Sequence, residues 1–314
     1  MKGLELAKAY YEEYGRAMLE ADFPEVLPLL AVGFVGSGSE HYGFDDEISR
    51  DHDFEPGFCI FLPGEDLVDR RTAFLLERAY AKLPKEYAGF MRQPLSPVGG
   101  NRNGVIRTEE FCEKAVGSRD GILSTAQWLT LPDYALAEAV NGEVFFDNYG
   151  ELSCIREYLM RMPEDVRRKR IAGNVLVMAQ AGQYNFSRCL KHGEPEAARL
   201  ACVEFVNAAV KVLFLLQHRY APYYKWCFRA LRRLKDMEDT ADRLSFLLLG
   251  DFHEPGGEKQ MQEAIETIAS DVISSLQKQG LTGAPGTGRE RHAYAVNDSI
   301  ADGNIRNMHI LAAV

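Results

Sequence analysis

Asp51 and Asp53 stand two residues apart, and thirteen residues separate Ser37 from Asp51. Ser37 belongs to the tetrapeptide Gly36-Ser37-Gly38-Ser39. These are residue types that handle metal ions and phosphate. Two carboxylates on one face make a hard oxygen site suited to Mg²⁺. A Gly-Ser turn offers backbone N–H groups and hydroxyls to phosphate oxygens, and glycine lets the backbone approach closely. Gly36 and Ser37 are the expected phosphate contacts, and Ser39 is a second hydroxyl. Arg50 abuts the acids and can pair with them or with phosphate. A phosphate cradle beside a divalent-metal site is what nucleotidyl transfer needs, typically with two Mg²⁺ ions ~3.5–4 Å apart.

Two strands must hold these groups. Ala31-Val32-Gly33-Phe34-Val35 is apolar and reads as a strand running into the turn. Asp53 to Leu62 reads as a second. Alternate residues of a strand share a face, so Asp51 and Asp53 point together and His52 points away. Helical periodicity covers residues 2–20, with Leu4, Ala7, Tyr11, Tyr14 and Met18 on one face, and residues 66–82, which Pro84 stops. Residues 91–104 read as loop. Val105-Ile106-Arg107 reads as a strand, Thr108 as a helix cap, and Glu110 to Val116 as the helix. Pro132 opens a helix to Val140, Asn141-Gly142 is a turn, and Glu143 to Asp147 is a further strand. Beyond Leu152 the pattern is helical over 153–160, 163–190, 195–219, 222–234, 238–249 and 257–279, with Val203 to Leu216 as its core. Residues 280–289 read as a Gly-rich linker.

The stretch GSGSEHYGFDDEISRDHDF, an apolar strand, a Gly-Ser turn, a gap and then Asp-x-Asp, resembles the DNA polymerase beta-like nucleotidyltransferase superfamily. It looks like a bacterial branch similar to the aminoglycoside and lincosamide nucleotidyltransferases, in which such a domain is joined to a helical one. The resemblance implies Asp51 and Asp53 as joint catalytic metal ligands and a third carboxylate on a later strand. Glu109, after the Val105 strand, and Asp147, ending the Glu143 strand, are the candidates. The run GEVFFD resembles the element that closes many such domains. Tyr220-Ala-Pro-Tyr-Tyr-Lys225-Trp226 resembles a helix start whose lysine reaches the triphosphate. Pro222 suits a helix start, and Lys225 in the first turn faces an anion favoured by the helix dipole.

Charge and composition bound the partners. Residues 1–155 carry 14 Lys and Arg against 27 Asp and Glu, residues 156–235 carry 16 against 6, and residues 236–314 carry 6 against 13. The acidic first stretch disfavours a long nucleic-acid track, which wants a continuous basic face. No apolar run reaches the ~18 residues of a membrane helix, and residues 1–30 lack a signal-peptide core, so the reading is cytoplasmic. The six cysteines form no CxxC and read as reduced, structural thiols. The seven histidines show no zinc spacing. Gly283 to Glu290 mimics a P-loop, but Arg289 and Glu290 replace its Lys and hydroxyl. Arg188 and His192 fall one residue short of a helical ribonuclease-toxin spacing, and Gln183, Asn185 and Arg188 are equally core polar groups or substrate contacts.

The expectation is an α+β protein of two domains. Residues 1–152 form a small mixed sheet flanked by helices, the nucleotidyltransferase fold, and residues 153–314 form a C-terminal helical bundle. The expected function is Mg²⁺-dependent transfer of NMP, AMP from ATP first, to a hydroxyl of a small-molecule acceptor. The alternatives are a nucleotide-sensing protein with weak catalysis and a polynucleotide-directed transferase.

Overall fold

The computed structural model describes residues 1–51, 54–92 and 102–314, with the backbone alone at Arg50 and Asp51. The chain divides into two compact units, Met1–Leu123 with Ala135–Arg161, and Ser124–Tyr134 with Met162–Val314. A break after residue 152 was expected; here residues 153–161 stay with the first unit and 124–134 belong to the second.

The first unit opens with α1 (Gly3–Tyr10), a π-type widening at Tyr11–Gly15, and α2 (Arg16–Asp22). β1 (Ala31–Phe34), β2 (Cys59–Leu62), α3 (Arg70–Lys82), the short strands β3 (Glu86–Tyr87) and β4 (Phe90–Met91), β5 (Gly104–Arg107) and α4 (Thr108–Val116) follow. α5 (Thr125–Thr130) belongs to the second unit, and α6 (Asp133–Val140) leads back into the first, which β6 (Glu143–Asp147) and α7 (Glu151–Met160) complete.

Among the described residues the main sheet is mixed and four-stranded, in the order β5-β2-β1-β6. β1 runs antiparallel to β2 and to β6, and β2 runs parallel to β5. Alternation along the inner strands explains the two helical layers. Val32, Ile60 and Leu62 pack with Tyr10, Leu19, Leu76 and Tyr80 on one face. Ala31, Cys59 and Phe61 pack with Leu152 on the other. A strand covered on both faces has no place for a polar side chain, hence the unbroken apolar run of β1.

β2 begins at Cys59, not at Asp53. Pro56 lacks an N–H for a ladder. A Cβ on Gly57 would lie 2.6 Å from the Asn103 side-chain nitrogen, so the chain passes too close to pleat there. Asp51 instead ends a 3₁₀ turn, Ile48–Asp51. The strand alternation that pointed His52 away from the acids therefore does not reach them, and His52 and Asp53 lie outside the described residues.

The second unit is helical: α8 (Glu164–Met178), a widening at Ala179–Phe186, α9 (Ser187–Lys191), α10 (Pro195–Leu216), α11 (Tyr224–Leu231), α12 (Glu238–Leu249), α13 (Gly257–Lys278), α14 (Arg289–Asp298) and α15 (Gly303–Arg306). α10 is its axis, with Phe205, Ala209, Val212 and Leu213 at the centre of one apolar core. Lys169 of α8 is fully buried. Its ammonium donates to Asn297 Oδ1 at 2.8 Å, to the Met308 carbonyl at 2.7 Å and to the Arg306 carbonyl at 3.3 Å.

Residues 280–289 are not a free linker. Thr282 Oγ1 lies 3.1 Å from His292 Nδ1, and His292 Nε2 lies 2.9 Å from the Gly286 carbonyl. Arg289, the mock P-loop arginine, is buried, pairs with the Glu266 carboxylate and starts α14. Among the described residues no helix is long and apolar enough to cross a membrane.

Candidate functional site

β1 delivers the Gly-Ser turn to one edge of the sheet. Gly36 has φ +123° and Gly38 φ +132°, a region that a side chain opposes. Nothing lies within 4 Å of a Cβ placed on Gly36, so open space adjoins the turn there. A Cβ on Gly38 would lie 2.3 Å from a Glu40 carboxylate oxygen.

Asn141 clamps the turn from β6. The Gly36 N–H donates to Asn141 Oδ1 at 2.9 Å, and Asn141 Nδ2 donates to the Gly36 carbonyl at 2.6 Å. An amide side chain thus completes a main-chain amide the way a neighbouring strand would. Gly142 N–H donates to the His41 carbonyl at 3.0 Å. Arg156 of α7 holds the clamp in turn, donating to the carbonyls of Ala139 at 3.1 Å, Val140 at 3.1 Å and Asn141 at 2.7 Å. Burial lowers its pKa to about 10. The Gly36 N–H, expected to face phosphate, is committed to this clamp. The Ser37 and Gly38 N–H groups donate to no acceptor among the described residues, and Ser37 is exposed. Main-chain N–H groups left open in a turn are the kind of donor an anion takes.

Just after the turn, buried Glu40 and His41 meet the exposed Arg102. The His41 ring stacks on Phe34 with centroids 4.1 Å apart. Glu40 approaches His41 Nδ1 at 3.5 Å and Arg102 at 3.7 Å. Burial raises the Glu40 pKa, with Arg102 and the Ser39 hydroxyl opposing. Ser39 is buried, with its hydroxyl 3.3 Å from Glu40 Oε2, so it serves this cluster and does not extend the phosphate-facing row. Burial, helped by the Arg102 charge, lowers the His41 pKa to about 3 from 6.5.

That shift gives a pH expectation. Below pH 6.5 the unfolded His41 takes up a proton that the folded one refuses until about pH 3. Stability is therefore lost as pH falls through that window, by at most ~1.4 kcal/mol per pH unit for one proton. His41→Phe keeps a ring against Phe34 and should lessen the loss in urea midpoint between pH 7 and pH 5. An equal loss in both proteins would exclude His41 as its source.

The register fixes what else shares this edge. Gly33 pairs with Cys59, and Cys59 with Gly104. The residues just before Cys59, and Arg102 and Asn103 entering β5, therefore lie at the Gly-Ser end. Asp46 starts the turn that carries Arg50 and Asp51, its Oδ1 accepting from Ser49 N–H at 3.1 Å and from the Ser49 hydroxyl at 3.1 Å. Asp51, Asp53 and Arg50 have no described side chains, and among the described residues no three His, Cys, Asp or Glu gather as a metal site. By type, two near-adjacent carboxylates suit Mg²⁺.

Asp147 and Glu109 are at the other end. Asp147 pairs with Ala31, and Arg107, just before Glu109, pairs with Leu62. At ~3.3 Å per residue, Ala31 is ~16 Å along the strand from Gly36. Asp147 accepts the N–H groups of Gly150 at 2.7 Å and Ser153 at 2.8 Å, and so starts α7. Glu109 pairs with Arg119 at 2.6 Å, which lowers its pKa. Neither can serve as a third acid beside the Gly-Ser turn.

Lys225 occupies the first turn of α11 in the second unit, exposed, with its ammonium 5.8 Å from the centre of the Trp226 ring. Sequence reasoning took Asn141-Gly142 as a plain turn and missed Arg156 and the Glu40–His41–Arg102 cluster. An Asn-Gly pair just before a strand was the available signal.

A family model described as a domain of unknown function, DUF4037, matches residues 128–227. No curated protein matches the chain. Among solved structures, a nucleotidyltransferase-like protein from Exiguobacterium sibiricum is similar over 93% of this chain and 81% of its own, at 13% identity and a TM-score of 0.38. That likeness carries no residue role across to this chain.

Proposed function

We propose that this protein binds a Mg²⁺–nucleoside triphosphate, ATP first, and transfers its nucleoside monophosphate to a hydroxyl or similar group of a small acceptor. One observation carries the reading. The Gly-Ser turn, with open Ser37 and Gly38 N–H donors, is clamped by Asn141 at the sheet end where the chain enters β2, and Asp51 and Asp53 precede that strand in sequence.

Ser37 and Gly38 receive phosphate oxygens, and the Asn141 clamp on Gly36 holds the turn so that little reorganisation is needed. Asp51 and Asp53 hold the metal, two ions in the full reaction. When bound, the metal neutralises the triphosphate and lowers the pKa of the attacking oxygen. Arg50, next to Asp51 in sequence, balances charge at the acids or on phosphate in this reading.

A second reading, nucleotide sensing without turnover, draws on a specific observation. β5, the neighbour of β2, enters the edge through Arg102 and Asn103, not through an acid, while Asp147 and Glu109 lie at the far end. Titrating Mg²⁺–ATP calorimetrically, and following pyrophosphate release with candidate alcohols and amines, separates the readings. Binding with release supports transfer, binding without release supports sensing, and no Mg²⁺-dependent binding excludes both.

Lys225→Ala distinguishes a nucleotide ligand from a solvated lysine. A charge-assisted phosphate contact is worth roughly 1.5–3 kcal/mol. ATP affinity should drop about tenfold or more, while adenosine binding is unchanged. Equal ATP affinity in the variant removes Lys225 from the site.

A further inference from the structure

The second unit exposes three tyrosines in a row. Tyr134, Tyr223 and Tyr224 are 42%, 40% and 73% exposed. The Tyr134 and Tyr223 rings meet edge to face, with centroids 5.7 Å apart at 83°, and the Tyr223 and Tyr224 rings are tilted by 47° with centroids 4.4 Å apart, so their open faces point in different directions. Local sequence places them. Tyr134 is the second residue of α6, and Tyr223 and Tyr224 flank the start of α11 just after Pro222. Rings left this open contribute little to a core, yet they touch one another.

Cations follow on the same helix, beside Trp226. Lys225 and Arg229 are one helical turn apart on α11 and both exposed, and the Arg229 guanidinium lies 5.6 Å from the centre of the Trp226 ring. Residues 205–235 contain seven Lys and Arg and no Asp or Glu. Arg232 pairs with Asp242 at 3.1 Å. Aromatic faces and nearby cations match the two halves of a nucleotide, since a base stacks on a ring and a phosphate is drawn to Lys and Arg.

We propose that this face binds a short single strand of nucleic acid, with successive bases stacked on Tyr134, Tyr223 and Tyr224 and phosphates at Lys225 and Arg229. A lone nucleotide shares the chemistry, but three adjoining rings offer more surface than one base covers. The strand is short because the acidic residues 1–155 disfavour a long track, whereas a few nucleotides need only the basic stretch. The proposal shares Lys225 with the nucleotide reading, so its test rests on Tyr224 and Arg229, which nucleotidyl transfer does not use.

Fluorescence anisotropy with a labelled single-stranded decanucleotide tests it. The wild type should bind at ~50 mM salt and weaken steeply by ~200 mM. Tyr224→Ala should weaken binding roughly tenfold, because stacking is lost, and Tyr224→Phe should stay within about twofold of wild type. Arg229→Gln should lower both affinity and salt dependence. The duplex of the same sequence, with its bases hidden, should bind more weakly. Absence of wild-type binding at low salt overturns the proposal. Unchanged binding by Tyr224→Ala, or equal binding of a polyglutamate chain, reduces the face to a non-specific cation patch. Displacement of the strand by an equal concentration of AMP assigns the face to a mononucleotide and overturns the strand.

Discussion

Asp51→Asn and Asp53→Asn are each expected to lower Mg²⁺-dependent nucleotidyl transfer by ~10²–10⁴-fold while the protein stays folded. An amide keeps the size of the carboxylate but removes the charge that holds a divalent cation. Metal stabilisation of developing charge is worth several kcal/mol, and each ~1.4 kcal/mol is a factor of ten in rate. Nucleotide binding should lose its Mg²⁺ dependence in the same variants. Fold is controlled by circular dichroism and by an unchanged urea midpoint. Wild-type-like Mg²⁺-dependent binding in both variants would remove the metal assignment. Glu109→Gln and Asp147→Asn serve as contrast. Glu109→Gln should leave nucleotide binding intact, and Asp147→Asn should act on stability through the start of α7, where both carboxylate oxygens accept N–H groups.

Gly142→Ala should be among the most damaging single substitutions in the first unit. Gly142 has φ +64°, which costs an alanine ~1–2 kcal/mol. A Cβ there would also lie 2.0 Å from the Phe34 carbonyl oxygen, a backbone atom that cannot swing aside. The strand end would have to move, and with it the two Asn141 hydrogen bonds to Gly36. A loss of roughly 3–5 kcal/mol is expected, at the upper end for point substitutions. Gly150→Ala is the control. It has φ +83° with nothing within 4 Å, so it bears only the backbone term. Urea midpoints of the two variants check the contrast, and similar losses in both would mean that Gly142 matters only for its φ.

Much of the fold was legible because its signals are local. β1 and β6 are apolar or alternating runs beside Gly-Ser and Asn-Gly, and α3, α12 and α13 follow their apolar periodicity within a few residues at each end. α14 escaped notice because RERHAYAVND is polar and follows a glycine-rich stretch. The candidate site was legible in part. The Gly-Ser turn was found where β1 ends, but Gly36 proved to spend its N–H on Asn141, 105 residues away in sequence. Asp147 and Glu109 attracted attention because each adjoins a strand. Which end of a sheet a strand terminus occupies depends on pairing direction between distant segments, and that is not written in spacing. His41 and Arg156 were missed for a related reason. Their importance comes from burial against carbonyls and rings that only the folded chain assembles.

Lys169 has a consequence for how the protein is made. Its ammonium sits in the interior of the second unit, and its described oxygen partners come from residues 297, 306 and 308. A buried charge lacking its partners costs several kcal/mol. While the ribosome has delivered α8 and α10 but not residue 308, the helices cannot close around Lys169 without leaving that charge bare. The native packing of the second unit around Lys169 therefore waits for residues 297–308, whereas the first unit, whose last residue is Arg161, can assemble much earlier. During that interval the apolar surface of α10 is what a chaperone would find uncovered.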